Sequence, residues 1–217
     1  MQTAGVQDSA PKQDPLHPHC SNVEGVRRLL IVRHAPTGAT RRAALPRDEP
    51  LDDSATFAAA ALAGAIPRGC EVLCSPALRC RQTAEAAGLA ATSDPLLAEC
   101  DFGRWAGSTL AEISAAEPDA VRALMHDPDA APHDGETLAA FARRVAEWLG
   151  GQARRSGTTT AITHGGVVKA AVVHALDAPL AAFWALEAAP LSLTELNGHG
   201  GRWTVTRVNC PLGEAGG

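Results

Sequence analysis

No stretch of the chain approaches about 18 consecutive apolar residues, so no membrane span is expected. Positive charge is also scarce. Lys and Arg number 19 against 24 Asp and Glu, and the net charge is −5. That removes any general electrostatic case for nucleic acid or an anionic membrane; an anion site has to be a local cluster. The six cysteines (Cys20, Cys70, Cys74, Cys80, Cys100 and Cys210) contain no CxxC pair. They read as reduced thiols rather than a zinc site or a disulfide framework. The start of the chain lacks the basic-then-apolar order of a leader peptide. A cytoplasmic protein is expected, without metal or other cofactor and with no internal repeat.

What is present is 217 residues, 46% of them hydrophobic. That suits one sizeable core and one domain, expected over 26–210. Residues 1–25 are rich in Gln, Asp, Pro and His and read as a flexible tail; 211–217 read as a second. His17-Pro18-His19-Cys20 has metal-binding residue types but is taken as part of the first tail.

The chain is organised around Leu29-Leu30-Ile31-Val32-Arg33-His34-Ala35-Pro36-Thr37. Four apolar residues read as a short buried strand, about 28–32, and the proline turns the backbone after it. Asp52-Asp53-Ser54 then caps a helix of about 54–66, with Phe57, Ala61, Leu62 and Ile66 on one face. Glu71 to Cys74 form a second strand. Ser75-Pro76 starts a helix of about 76–87, with Arg79 in its first turn. Helical pieces at about 108–116 and 118–126 fall inside an irregular insertion, about 99–135, that shapes the substrate pocket. Asp134 caps a helix of about 136–154 whose stripe is Leu138, Phe141, Val145, Trp148 and Leu149. The β-branched run 158–163 is a strand. His164-Gly165-Gly166 and a helix of about 167–176 follow; His174 on it reads as structural. Strands at 191–196 and 203–208 flank a glycine-rich loop, an antiparallel hairpin. His126 and His133 are expected at the surface.

Three strands therefore each end in a polar group: Arg33 and His34, then Ser75 and Arg79, then His164. The carboxyl edge of a parallel sheet is where ligands bind. Two guanidiniums brought together call for an anion between them, and their fork geometry suits phosphate. Helix N-termini after Ser75 and after Gly165-Gly166 add N–H groups facing the same anion. A neutral imidazole beside a phosphate is a nucleophile. The leaving alcohol then needs a proton from a carboxylic acid.

At this point the sequence resembles the histidine phosphatase superfamily, the phosphoglycerate mutase-like or RHG family. The matching pieces are Leu30 to Ala35, Ser75 to Ala84, Leu97 to Trp105, Asp134-Gly135-Glu136-Thr137 and Thr163 to Val167, in the family's order. The resemblance implies a three-layer α/β/α fold: a mostly parallel central sheet, one antiparallel edge strand and a small helical insertion. It implies that His34 carries the phosphoryl group, that Arg33 and Arg79 clamp it, that His164 holds its oxygen and that Glu99 serves as acid and then base. It further implies substrate contacts from Thr37, Thr40, Arg104 and Gly165, and a bracing role for Glu136 with Thr137. Three positions depart from the family's pattern: Ala35 for the usual glycine, Thr40 for a common asparagine and Ala106 for a frequent glutamate.

The expected function is a metal-independent phosphomonoesterase for a small phosphorylated metabolite. Alpha-ribazole phosphate, sugar phosphates and phosphorylated glycolytic acids are family precedents. A phosphoglycerate mutase and a non-catalytic phosphate-ligand-binding protein on the same fold are the alternatives. Arg41, Arg42, Arg47 and Arg104 hint at a second acidic group or a carboxylate on the substrate, and a homodimer is compatible with the reading.

Overall fold

The computed structural model describes residues 27–212. The tail expected at 1–25, with its His17 to Cys20 run, lies outside the described residues, as does the second tail beyond Leu212. In chain order the elements are β1 (Arg27–Arg33), α1 (Gly38–Arg41), α2 (Asp53–Ala60), α3 (Leu62–Ala65), β2 (Glu71–Cys74), α4 (Leu78–Ala86), β3 (Thr92–Ser93), α5 (Leu110–Ala116), α6 (Pro118–His126), α7 (Leu138–Ala153), β4 (Gly157–Thr163), α8 (Gly165–Ala175), β5 (Leu193–His199) and β6 (Arg202–Cys210).

The apolar run of β1 is continuous because both its faces are covered. Leu29 and Ile31 point into a core with α7 and α8; Leu30 and Val32 point into a second core with α3 and α4. The result is helix layers on both sides of one six-stranded sheet, in the order β3-β2-β4-β1-β5-β6. β1 to β4 pair in parallel, whereas β5 runs against β1 and β6 against β5. The hairpin β5–β6 thus forms the antiparallel edge. Its turn is tighter than the sequence suggested: Asn197, Gly198 and His199 belong to β5, and only Gly200-Gly201 remain between the strands. Both have positive φ, +56° and +79°, which a two-residue turn matched to strand twist requires.

Several local expectations are corrected. The helix expected at 54–66 is two pieces, and the buried stripe is Ala55, Ala59, Leu62 and Ile66, with Phe57 85% exposed. The 4-3-4 spacing wins over the lone phenylalanine, and its two alanines, Ala55 and Ala59, let α2 approach α4. Thr137, not Asp134, caps α7: its hydroxyl accepts the Ala140 N–H at 3.0 Å, while Asp134 has φ +62°. α4 begins at Leu78, so Ser75 is not its cap; Asp48 Oδ1 instead accepts the Leu78 N–H at 2.7 Å. His133 is fully buried rather than at the surface, and His174 is exposed. The α7 stripe from Leu138 to Leu149 is buried as expected.

Register places the site. Arg33 pairs with Thr163 and Cys74 with Ile162. His34 N–H continues the ladder to the Thr163 carbonyl (2.8 Å), and Ser75 N–H to that of Ile162 (3.0 Å). His34, Ser75 and His164 therefore leave three neighbouring strands at one level.

Candidate active site

His34 and His164 face each other edge-on, with ring centroids 5.3 Å apart. Arg79 lies between them. Its Nε donates to His34 Nε2 (3.2 Å), its Nη2 to His164 Nδ1 (3.1 Å) and its Nη1 to the Arg47 carbonyl (2.8 Å). These donors assign the tautomers. His34 carries its proton on Nδ1, which donates to the Ala35 carbonyl at 2.7 Å, and its lone pair on Nε2. His164 carries its proton on Nε2, donating to Ser75 Oγ at 2.8 Å. Ser75 was read from sequence as a helix cap; its part in orienting His164 arises only from the fold.

Both imidazoles are buried, and both are held neutral. Burial is the main cause, with Arg79 next, and His34 is lowered to about 3; His164 is also well below its ordinary value. In the unfolded chain both titrate near ~6.5. Between that value and the folded value the unfolded state binds more protons, so stability is full above pH ~6.5 and falls below it. His34 alone loses roughly 1.4 kcal/mol between pH 7.5 and 5.5, and His164 adds a loss of the same sign. Urea unfolding at the two pH values should show this drop, and His34→Gln should remove the share of His34. An equal drop in the variant contradicts the assignment.

Arg33 approaches from β1. Its Nη1 donates to the Ala188 carbonyl at 2.5 Å, and its Nε is buried without a partner. Gly165 packs against it: a Cβ there would stand 3.5 Å from Arg33 Nε. Glu99 closes the opposite side. Its Oε2 accepts the Gly166 N–H at 3.2 Å and its Oε1 the Cys100 N–H at 3.1 Å. A Cβ on Gly166 would overlap Glu99 Oε1, so only glycine lets the carboxylate reach the start of α8. Together with Arg79 and His164, Glu99 lines a cleft of about 370 Å³.

Arg144 holds Glu99 in place, and sequence reasoning missed it. Its Nη1 donates to the Leu96 and Ala98 carbonyls (2.9 and 2.8 Å), its Nη2 to that of Glu99 (3.3 Å). Glu136 grips the same guanidinium through Nε and Nη2, at 3.1 and 2.7 Å. Glu136 therefore braces the Glu99 loop rather than lining the cleft. Glu136 lies just before the Thr137 cap of α7 and Arg144 two turns inside the helix, so no helical spacing announced the pair.

Other expected contacts are placed differently. Thr37 is buried, but its hydroxyl donates to Glu49 Oε1 at 3.0 Å and caps α1 by accepting the Thr40 N–H at 3.2 Å. Thr40 sits beside it, the two hydroxyls 3.2 Å apart. Arg104 is not brought to the cleft. Glu117 at 2.5 Å, the Pro132 carbonyl at 2.6 Å and Asp134 at 3.4 Å engage it.

Among the described residues, no helix is long and apolar enough to cross a membrane, and no group of three or more His, Cys, Asp or Glu side chains is gathered to hold a metal ion.

Comparison with known proteins identifies the fold and the family. Solved structures of similar shape include mycobacterial glucosyl-3-phosphoglycerate phosphatase, 29% identical, with a TM-score of 0.71 over 85% of this chain and 99% of that one. An Escherichia coli protein described as a putative alpha-ribazole-5'-P phosphatase shares the fold at 21% identity, with a TM-score of 0.74 over 85% and 98%. A bifunctional protein of Mycobacterium tuberculosis is 29% identical over 205 residues, which cover 87% of this chain and 56% of that protein. The chain thus spans about half the length of the curated relatives it matches. The model of the histidine phosphatase superfamily (branch 1) matches residues 29–211, from β1 to the residue just after β6. The chain belongs to that superfamily.

Proposed function

We propose that the protein is a metal-independent phosphomonoesterase for small phosphorylated metabolites, working through a phosphohistidine on His34. The observation that carries this is the pairing at one sheet edge of a neutral His34, whose lone pair sits on Nε2, with Arg79 and His164. Once Arg79 Nε turns from His34 Nε2 to a phosphoryl oxygen, the freed Nε2 attacks phosphorus, the P–O bond to the alcohol breaks, and Glu99 gives its proton to the leaving oxygen. Water then attacks the phosphohistidine with Glu99 as base, and inorganic phosphate leaves. Arg33 and Arg79 neutralise the equatorial oxygens, and His164, its Nε2–H held by Ser75, orients Arg79 by accepting from it at Nδ1. Gly165 and the first turn of α8 add backbone N–H donors.

The relatives support the substrate class: one is described as acting on glucosyl-3-phosphoglycerate and another on alpha-ribazole phosphate. The test is turnover of a panel of phosphomonoesters in excess chelator, followed by acid and alkali stability of the label left on the quenched protein. Chelator-insensitive turnover with alkali-stable, acid-labile phosphate on His34 is expected. Turnover that the chelator abolishes, or that leaves no such label, overturns the proposal.

A further inference from the structure

Arg33 reaches the phosphoryl site with little to hold it. Among the described residues its guanidinium makes a single hydrogen bond, Nη1 to the Ala188 carbonyl at 2.5 Å, and its Nε is buried without a partner. The like charge of Arg79 opposes it there. Where Arg33 points therefore depends on where the Ala188 carbonyl points.

That carbonyl belongs to the peptide joining Ala188 to Ala189, and Asn209 holds the other end of the same peptide. Its Oδ1 accepts the Ala189 N–H at 2.6 Å. The two bonds leave opposite sides of one planar unit. Asn209, the peptide and Arg33 thus form a continuous chain in which each bond polarises the next. Packing gives this peptide less support. The Ala188 methyl is buried in the core, which fixes its Cα but leaves the peptide plane free to turn. Beside Ala189 lies a cleft of about 320 Å³, lined also by Pro190 and Asn209.

The backbone on both sides is shaped for the contact. Asn209 sits where β6 carries one residue more than β5: Leu193 pairs with Cys210 and Glu195 with Arg207. A bulge of this kind re-aims a side chain. Asn209 has φ +56°, a region that asparagine tolerates better than most residues. Its N–H donates to Thr194 Oγ1 at 3.2 Å, which ties the bulge to β5. On the other side, the Ser192 N–H and the Ala189 carbonyl close a turn at 3.0 Å, with Pro190 second and Leu191 third at φ +58°. Glycine is usual at that third position, so leucine there is strained. The Leu191 N–H donates to the Arg33 carbonyl at 3.0 Å, which docks the turn on the end of β1. Two left-handed residues that are not glycine thus converge on the peptide that carries Arg33.

We infer that Asn209 is a positioning residue for the phosphoryl site: by fixing the peptide between Ala188 and Ala189 it aims the Arg33 guanidinium at the phosphate. This rests on the phosphatase reading for the identity of the anion. It adds to that reading a residue on the edge strand β6 that acts only through the peptide and Arg33.

Two substitutions separate the acceptor from the backbone. Asn209→Gly removes the acceptor and keeps a residue at ease with positive φ, whereas Asn209→Asp keeps both features. The readout is the affinity for inorganic phosphate, taken from the rise of melting temperature with phosphate concentration. Asn209→Gly should weaken it roughly tenfold, the scale of one charge-assisted hydrogen bond. Asn209→Asp should stay within about threefold of wild type, because its carboxylate still accepts the Ala189 N–H. In an Arg33→Ala background, Asn209→Gly should change the affinity by less than about twofold, since nothing is left to aim. A merely structural role would give the same loss with and without Arg33. That result overturns the inference, as does an Asn209→Gly protein that binds phosphate like wild type or an Asn209→Asp protein that loses as much as Asn209→Gly. Phosphate binding needs no turnover. The expected pattern in a protein that hydrolyses no ester counts against the phosphatase reading alone. Ester turnover through His34 with phosphate affinity indifferent to Asn209 counts against this inference alone, and a wild type that phosphate does not stabilise overturns both.

Discussion

His34→Ala is expected to reduce kcat by about 10⁴-fold or more on every phosphomonoester, the scale seen when a covalent nucleophile is removed. No neighbouring group can take its place. His164 has both nitrogens committed, Nδ1 accepting from Arg79 and Nε2–H donating to Ser75. Cys80 lies within 3.6 Å of His164, but burial pushes its thiol far above the ordinary range, so it is no thiolate at neutral pH. The loss is chemical rather than structural. His34 anchors no other element: its side chain bonds only to the Ala35 carbonyl and to Arg79. Inorganic phosphate or vanadate should still raise the melting temperature of the variant, because Arg33, Arg79 and His164 remain. Residual turnover above about 1% of wild type would remove His34 from the nucleophile's role.

What the sequence could show follows from what each residue depends on. His34, Ser75 and His164 were legible because each directly follows a buried strand, and a buried strand announces itself by composition alone. Their being level with one another comes from the pairing of Arg33 with Thr163 and Cys74 with Ile162, and no local pattern encodes that register. Glu99 was reached through the resemblance, since nothing nearby in sequence says that it will meet the N–H of Gly166 across 67 residues. Arg144 was beyond reach for a related reason. It acts through carbonyls of another loop, and such contacts leave no periodicity. β3 was missed because its two residues, Thr92 and Ser93, are both exposed, so burial gives no pattern to read. His133 was misplaced because a histidine between two aromatic rings looks, in sequence, like any loop histidine.

Gly135→Ala should cost about 3 kcal/mol or more and lower the melting temperature by roughly 6–12 °C. Two loops meet at Gly135. Glu136 N–H donates to the Asp101 carbonyl (2.8 Å) and Arg104 N–H to that of His133 (3.0 Å). Gly135 N–H itself donates to His133 Nδ1 (3.0 Å), fixing the ring between Phe102 and Trp105. A Cβ on Gly135 would overlap the Asp101 carbonyl oxygen and stand 2.8 Å from Asp101 C and Gly103 N. Those atoms are backbone and cannot swing aside, so the loops must part and both backbone hydrogen bonds break. Asp101 is two residues from Glu99, and a carboxylate displaced by about 1 Å costs on the order of 10²-fold in rate. Stability and kcat should therefore fall together. Gly150→Ala provides the contrast. Gly150 lies inside α7 with nothing within 4 Å of its would-be Cβ, and alanine there should stabilise by about 0.5–1 kcal/mol through backbone entropy. The same chemical change thus carries opposite signs at two sites. Thermal unfolding of both variants measures it, and a Gly135→Ala protein melting within about 2 °C of wild type would show that the two loops are not locked as described.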